Sequence, residues 1–122
     1  MSRKFKTLAF AKEARKAGVS DLKLSQAIDE CERGLIDAQL GGGLIKKRIA
    51  REGAGKSGGY RTIIALQAGE KAFFLELFAK NDRENLPDTD LQALKQLANL
   101  LLGLTDAQLK TALRLGEFQE LE

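Results

Sequence analysis

Six cations crowd residues 44–61: Lys46, Lys47, Arg48, Arg51, Lys56 and Arg61, against the single acid Glu52. Such a density favours a polyanion as partner. Arginine forks match phosphate oxygens. A lysine can also move protons if neighbouring cations or burial lower its pKa from the usual ~10.4. Together these groups could cleave RNA through its own 2′-OH. That chemistry needs in-line positioning, charge stabilisation at the pentavalent phosphate, and proton transfers. Arg61 is the leading candidate for stabilising the transition state, because a strand can hold its guanidinium rigidly. Lys56 and Lys80 are candidates for proton transfer or phosphate positioning. Lys46, Arg48, Arg51 and Arg83 are expected to hold RNA. Tyr60 could stack on a base or help in proton transfer, or it could fill the core, and the sequence weighs function and core equally.

Other chemistries fall away. The chain has no histidine and one cysteine, Cys31. Ser-His-Asp triads, histidine-ligated metals and Cys-rich zinc sites are excluded, as is an internal disulfide. No metal and no cofactor is expected. Asp82, Glu84, Asp88 and Asp90 read as loop and helix-cap acids rather than as a Mg²⁺ site. Gly55-Lys56-Ser57 looks like part of a nucleotide-binding loop, but the required first glycine falls on Ala50, and Gly58, Gly59 and then a strand follow where a helix should begin. No nucleotide cofactor is expected either. The basic N-terminus lacks the apolar run of a signal peptide, and no stretch approaches the ~20 apolar residues of a membrane span.

Charge is uneven along the chain. Residues 1–16 hold six basic residues against Glu13, while residues 82–122 hold eight acids against four bases. The first cluster reads as a solvated surface and the central one as functional.

The elements that would position these groups follow from periodicity. Residues 3–7 suggest a short edge strand protected by Lys and Arg. A helix spans 8–17, stopped by Gly18, and a second begins at the N-cap Ser20 and ends at Gly34. Strand 44–51 puts Ile45, Lys47 and Ile49 on one face and Lys46 and Arg48 on the other. A loop over 52–59 leads to strand 60–68, and a tight turn at Gly69 leads to strand 71–79, whose apolar run suits burial on both faces. Arg61 should share a face with Ile63 and Ala65, and Lys80 with Phe74 and Phe78. Helices are expected over 88–102 and from the capping box Thr105–Gln108 to Leu115. The fold class is α+β: an N-terminal helical hairpin, an antiparallel sheet of three to four strands, and C-terminal helices. Residues 1–122 form one domain, with 88–122 a helical extension.

Taken together, Gly41-Gly42-Gly43-Leu44-Ile45-Lys46-Lys47-Arg48, then Gly55-Lys56-Ser57-Gly58-Gly59-Tyr60-Arg61, then Phe73-Phe74-Leu75 and Phe78-Ala79-Lys80-Asn81-Asp82, resemble the HigB-like branch of the RelE/ParE toxin superfamily. The resemblance implies a RelE-like toxin of a type II toxin–antitoxin pair in the cytoplasm. It implies metal-independent cleavage of mRNA, usually on the ribosome, and a cognate antitoxin as partner. Carried over by position, Lys46, Arg48, Lys56, Arg61, Lys80 and Arg83 match places where such toxins hold RNA-contacting or catalytic groups. The family's C-terminal catalytic tyrosine or histidine has no counterpart here. Two alternatives use the same residues: a non-catalytic ParE-like inhibitor of gyrase, and a non-toxic RNA- or ribosome-binding module.

Overall fold

The computed structural model describes residues 2–51, 55–79 and 88–121, excepting the side chains of Arg51 and of residues 55–58. The chain runs β1 (Arg3–Thr7), α1 (Leu8–Ala17), α2 (Asp21–Glu32), β2 (Ala38–Gly41), β3 (Leu44–Arg51), β4 (Gly55–Gln67), β5 (Lys71–Ala79), α3 (Asp88–Leu102), α4 (Asp106–Leu115) and β6 (Phe118–Glu120).

The helix boundaries follow their caps. Thr7 and Ser20 accept from the amides of Phe10 and Lys23, and Gly18 closes α1 in the left-handed region. At α4 the Thr105–Gln108 capping box is complete, and Gly116 ends the helix. Each of the first two helices turns one apolar stripe inward: Phe10, Ala11 and Ala14 from α1, and Leu24, Ala27, Ile28 and Cys31 from α2.

The sheet is mixed and six-stranded, in the order β2-β3-β4-β5-β1-β6. β3, β4 and β5 form the expected antiparallel meander. The rest corrects the expectation of three or four antiparallel strands. β1 is not an edge; it runs parallel to β5 and antiparallel to β6. β2 and β6 were not foreseen. β4 starts at Gly55, opposite Arg51, five residues before the expected Tyr60. Glycines weaken a strand but do not obstruct one, so here the ladder extends through them.

Helices cover both faces. Ile45, Ile49, Ile64, Ala72, Phe74 and Leu77 pack with α1 and α2. On the other face Phe5, Leu44, Ile63, Ala65, Phe73 and Phe78 pack with α3 and α4. Residues 88–121 therefore supply half the core's cover, and their last element is strand rather than helix. Phe73 stacks on Phe5 at 4.8 Å between ring centroids, and Phe118 of β6 meets both rings edge-on. Three strands distant in sequence are thereby pinned at one point.

The turn between β2 and β3 uses Gly41, Gly42 and Gly43, all at positive φ. A Cβ on Gly43 would lie 2.8 Å from Leu102 Cδ1. That close approach seats one end of α3 against the start of β3.

Candidate nucleic-acid interface

The register of the meander decides which cations meet. Leu44 pairs with Ala65, Lys46 with Ile63 and Arg48 with Arg61, so these residues share one face of β3 and β4. Arg61 pairs in turn with Phe78 on β5. Near Leu44 this face is covered by α3. Arg48 lies four residues further on, roughly 13 Å along the strand. There it is exposed, while Lys46 and Arg61 are half-buried.

Two arginines directly opposite each other repel, at a cost of roughly 0.2–1 kcal/mol. The fold answers only part of that repulsion. Asp37, just before β2, accepts from the Arg48 amide at 2.6 Å and from Arg48 Nε at 3.0 Å. Burial alone would raise the Asp37 carboxyl, but these hydrogen bonds and the Arg48 charge, with Lys47 beyond, hold it below the usual carboxylate range. The Arg61 side chain makes no hydrogen bond or ion pair to another described residue. A half-buried guanidinium beside a second one, with most of its donors unspent, suits a doubly liganded anion such as a phosphodiester.

Lys47, the middle cation of the Lys46-Lys47-Arg48 run, points the other way, as its alternation with Ile45 and Ile49 predicts. It is 3% exposed, pairs with Glu30 at 2.7 Å and donates to Leu35 O at 2.8 Å. It fastens α2 to the sheet and does not belong to the cationic face.

The other candidates separate. Tyr60 packs among the residues beneath α1 and α2, so the sheet stands between its ring and Arg61. The backbones of Arg51 and Lys56 belong to β3 and β4. Lys56 thus sits on a strand rather than at a loop tip. Lys80 and Arg83 lie outside the described residues. Their expected relation to the sheet needs one correction. The ladder between β4 and β5 shifts register between Ile63 and Ile64, and Phe74 and Phe78 consequently face opposite sides. A bulge breaks strict alternation. Only Phe78 shares the face of Arg61.

Sequence reasoning missed Asp37. An isolated acid 11 positions before its arginine carries no local signal, because the β2–β3 hairpin that joins them was itself unforeseen.

A second concavity, of about 570 Å³, lies between α3, α4 and β6, lined by Leu97, Leu100, Leu104, Leu115 and Phe118 among others. It is mostly apolar, and its lining contains no lysine or arginine. Among the described residues, no helix is long and apolar enough to cross a membrane.

Residues 2–121 match the family model described as the RelE toxin of the RelE / RelB toxin-antitoxin system. No curated protein matches the chain.

Proposed function

We propose an activity for this chain, which belongs to the RelE toxin family: it is a metal-independent endoribonuclease that cleaves mRNA, on the ribosome, and is held inactive by a cognate antitoxin. The reading places the chain in the HigB-like branch, takes residues 1–122 as one toxin domain and sets its action in the cytoplasm. The observation that carries it is the cross-strand pair Arg48–Arg61, presented with Lys46 on one rigid sheet face.

In this reading a phosphodiester of single-stranded RNA lies over the pair. The 2′-oxygen attacks the adjacent phosphorus, the 5′-oxygen leaves, and a 2′,3′-cyclic phosphate remains on the upstream fragment. The phosphate gains negative charge on the way. Fixed guanidinium donors stabilise that charge without having to reorganise at the moment of reaction. Arg61 is assigned this role, with Arg48 and Lys46 holding the backbone and Arg51 and Arg83 extending the contact. Proton transfers fall to Lys56 and Lys80. Each would act as base only with its pKa lowered by the neighbouring cations. Tyr60 is left out of base stacking, since the core beneath α1 and α2 already receives its ring.

The test is incubation of the purified protein with ribosomes translating a defined mRNA, with cleavage mapped by primer extension. Discrete cuts that disappear on adding the antitoxin are expected. Intact mRNA alongside blocked gyrase supercoiling would move the chain to the ParE-like reading, and neither effect would leave a binding module. RNA affinity should also fall with salt, by ~0.7 log units per tenfold change in salt for each phosphate contact on a single strand.

A further inference from the structure

We propose that Asp37 is a positioning residue for the RNA site, holding Arg48 so that its terminal Nη groups face a phosphate beside Arg61. The inference rests on the ribonuclease reading and deepens it. Asp37 is itself fixed, since its amide donates to Lys46 O at 3.0 Å. Its two carboxylate oxygens then divide their work. One takes the Arg48 amide at 2.6 Å, an edge group of β3 that β2 does not reach, and the other takes Nε at 3.0 Å. An uncharged cap could satisfy the amide. Only a second, anionic acceptor also aims the guanidinium.

The aim matters because of where Arg48 stands. Directly across the ladder is Arg61, and two adjacent guanidinium groups left to themselves would splay apart. Spending Nε on Asp37 neutralises part of that repulsion. It leaves the terminal donors of Arg48, whose side chain is 43% exposed, without another acceptor among the described residues. An arginine carries five N–H donors, so one bond to Asp37 leaves the two-pronged end for an anion. The three groups together carry a single net positive charge. That suffices for a phosphodiester monoanion, and the Arg61 charge across the ladder is then available to the more highly charged transition state.

The experiment measures kcat and KM for ribosome-bound mRNA with wild type, Asp37→Asn, Arg48→Ala, Arg61→Ala and the Asp37→Asn/Arg48→Ala double variant, each with a melting curve. Misplacing a reacting contact by about 1 Å costs on the order of 10²-fold. Asp37→Asn should therefore lower kcat by ~10- to 100-fold and leave KM within about threefold. In the double variant it should add nothing to the loss from Arg48→Ala, because the two residues act as one unit. A merely structural acid would instead lower the melting temperature and add its effect to that of Arg48→Ala. Should Asp37→Asn not fold, Asp37→Ser keeps an acceptor for the amide without the charge, and the same fall in kcat is expected. Wild-type kcat in a folded Asp37→Asn or Asp37→Ser, with Arg48→Ala impaired, overturns the inference and spares the ribonuclease reading. Full activity in both Arg48→Ala and Arg61→Ala overturns the RNA site and the role of Asp37 with it.

Discussion

Residues 1–16 and residues 44–61 each hold six basic side chains against one acid, and by composition they are equivalent. In the fold they are not. On β1, Arg3 pairs with Glu120, Lys4 with Asp29 and Lys6 with Asp21. Glu120 lies on β6, and Asp21 and Asp29 both lie on α2, so the cations of β1 fasten β6 and α2 to that strand. On β3 and β4 Arg48 and Arg61 face each other, and among the described residues only Arg48 of the two has an acid against it. A count of charge cannot separate these cases. Charges already met by acids from neighbouring elements have little left for a ligand, whereas charges stacked against their own kind cost stability and await an anion.

The sharpest test of this contrast is a paired substitution. Arg61→Ala should cut cleavage of ribosome-bound mRNA by ~10²–10³-fold with an unchanged circular dichroism spectrum. Lys6→Ala, which removes the ion pair to Asp21, should leave cleavage within about twofold and cost up to ~1 kcal/mol in urea unfolding. Full activity in folded Arg61→Ala, or a collapse of activity in Lys6→Ala, would break the distinction.

A smaller effect lies inside the cationic run. Lys47→Ala removes the ion pair to Glu30 and the hydrogen bond to Leu35 O. A fully buried pair broken in this way costs roughly 3–5 kcal/mol. Glu30 is 30% exposed and can rehydrate, so about 2 kcal/mol is expected. Thermal melting should fall by several degrees while RNA affinity stays near wild type. A selective loss of RNA affinity would put Lys47 back in the site.

The smallest effect is in acid. The Asp37 carboxyl lies below its ordinary range when folded, so its contribution to stability is complete above the unfolded value of ~4 and drains away as pH falls through the folded one. The stability gap between wild type and Asp37→Asn should be under ~1 kcal/mol at neutral pH and shrink as pH falls below the unfolded carboxylate range. A gap that stays constant into acid would mean that the carboxylate charge contributes nothing there.

Much of this architecture was legible because it is local. Gly18, Thr105, Gln108 and Gly116 mark helix ends within a turn, and the apolar runs of β3, β4 and β5 announce themselves by alternation and short links. The faces of Lys46, Lys47, Arg48 and Arg61 followed from that alternation. What escaped depends on distant partners. β6 is three residues with two exposed side chains, and it is a strand only because β1 lies beside it. The parallel pairing of β1 with β5 leaves no trace in either segment. The bulge that separates Phe74 from Phe78 belongs to a ladder, not to a sequence pattern. Asp37 gains its meaning from a hairpin that places it against Arg48.

The pairing of β1 with β6 also orders events in time. Lys4 O accepts from the Leu121 amide, and Arg3 reaches Glu120 across 117 positions. During vectorial synthesis β1 emerges more than 100 residues before β6, so its outer flank waits through almost the whole described chain for its complement. Closing so long a loop is entropically slow and raises contact order. The ring cluster of Phe5, Phe73 and Phe118 must wait as well. A nascent chain would carry this flank unpaired until residues 118–121 emerge, and those residues would then close over it like a latch.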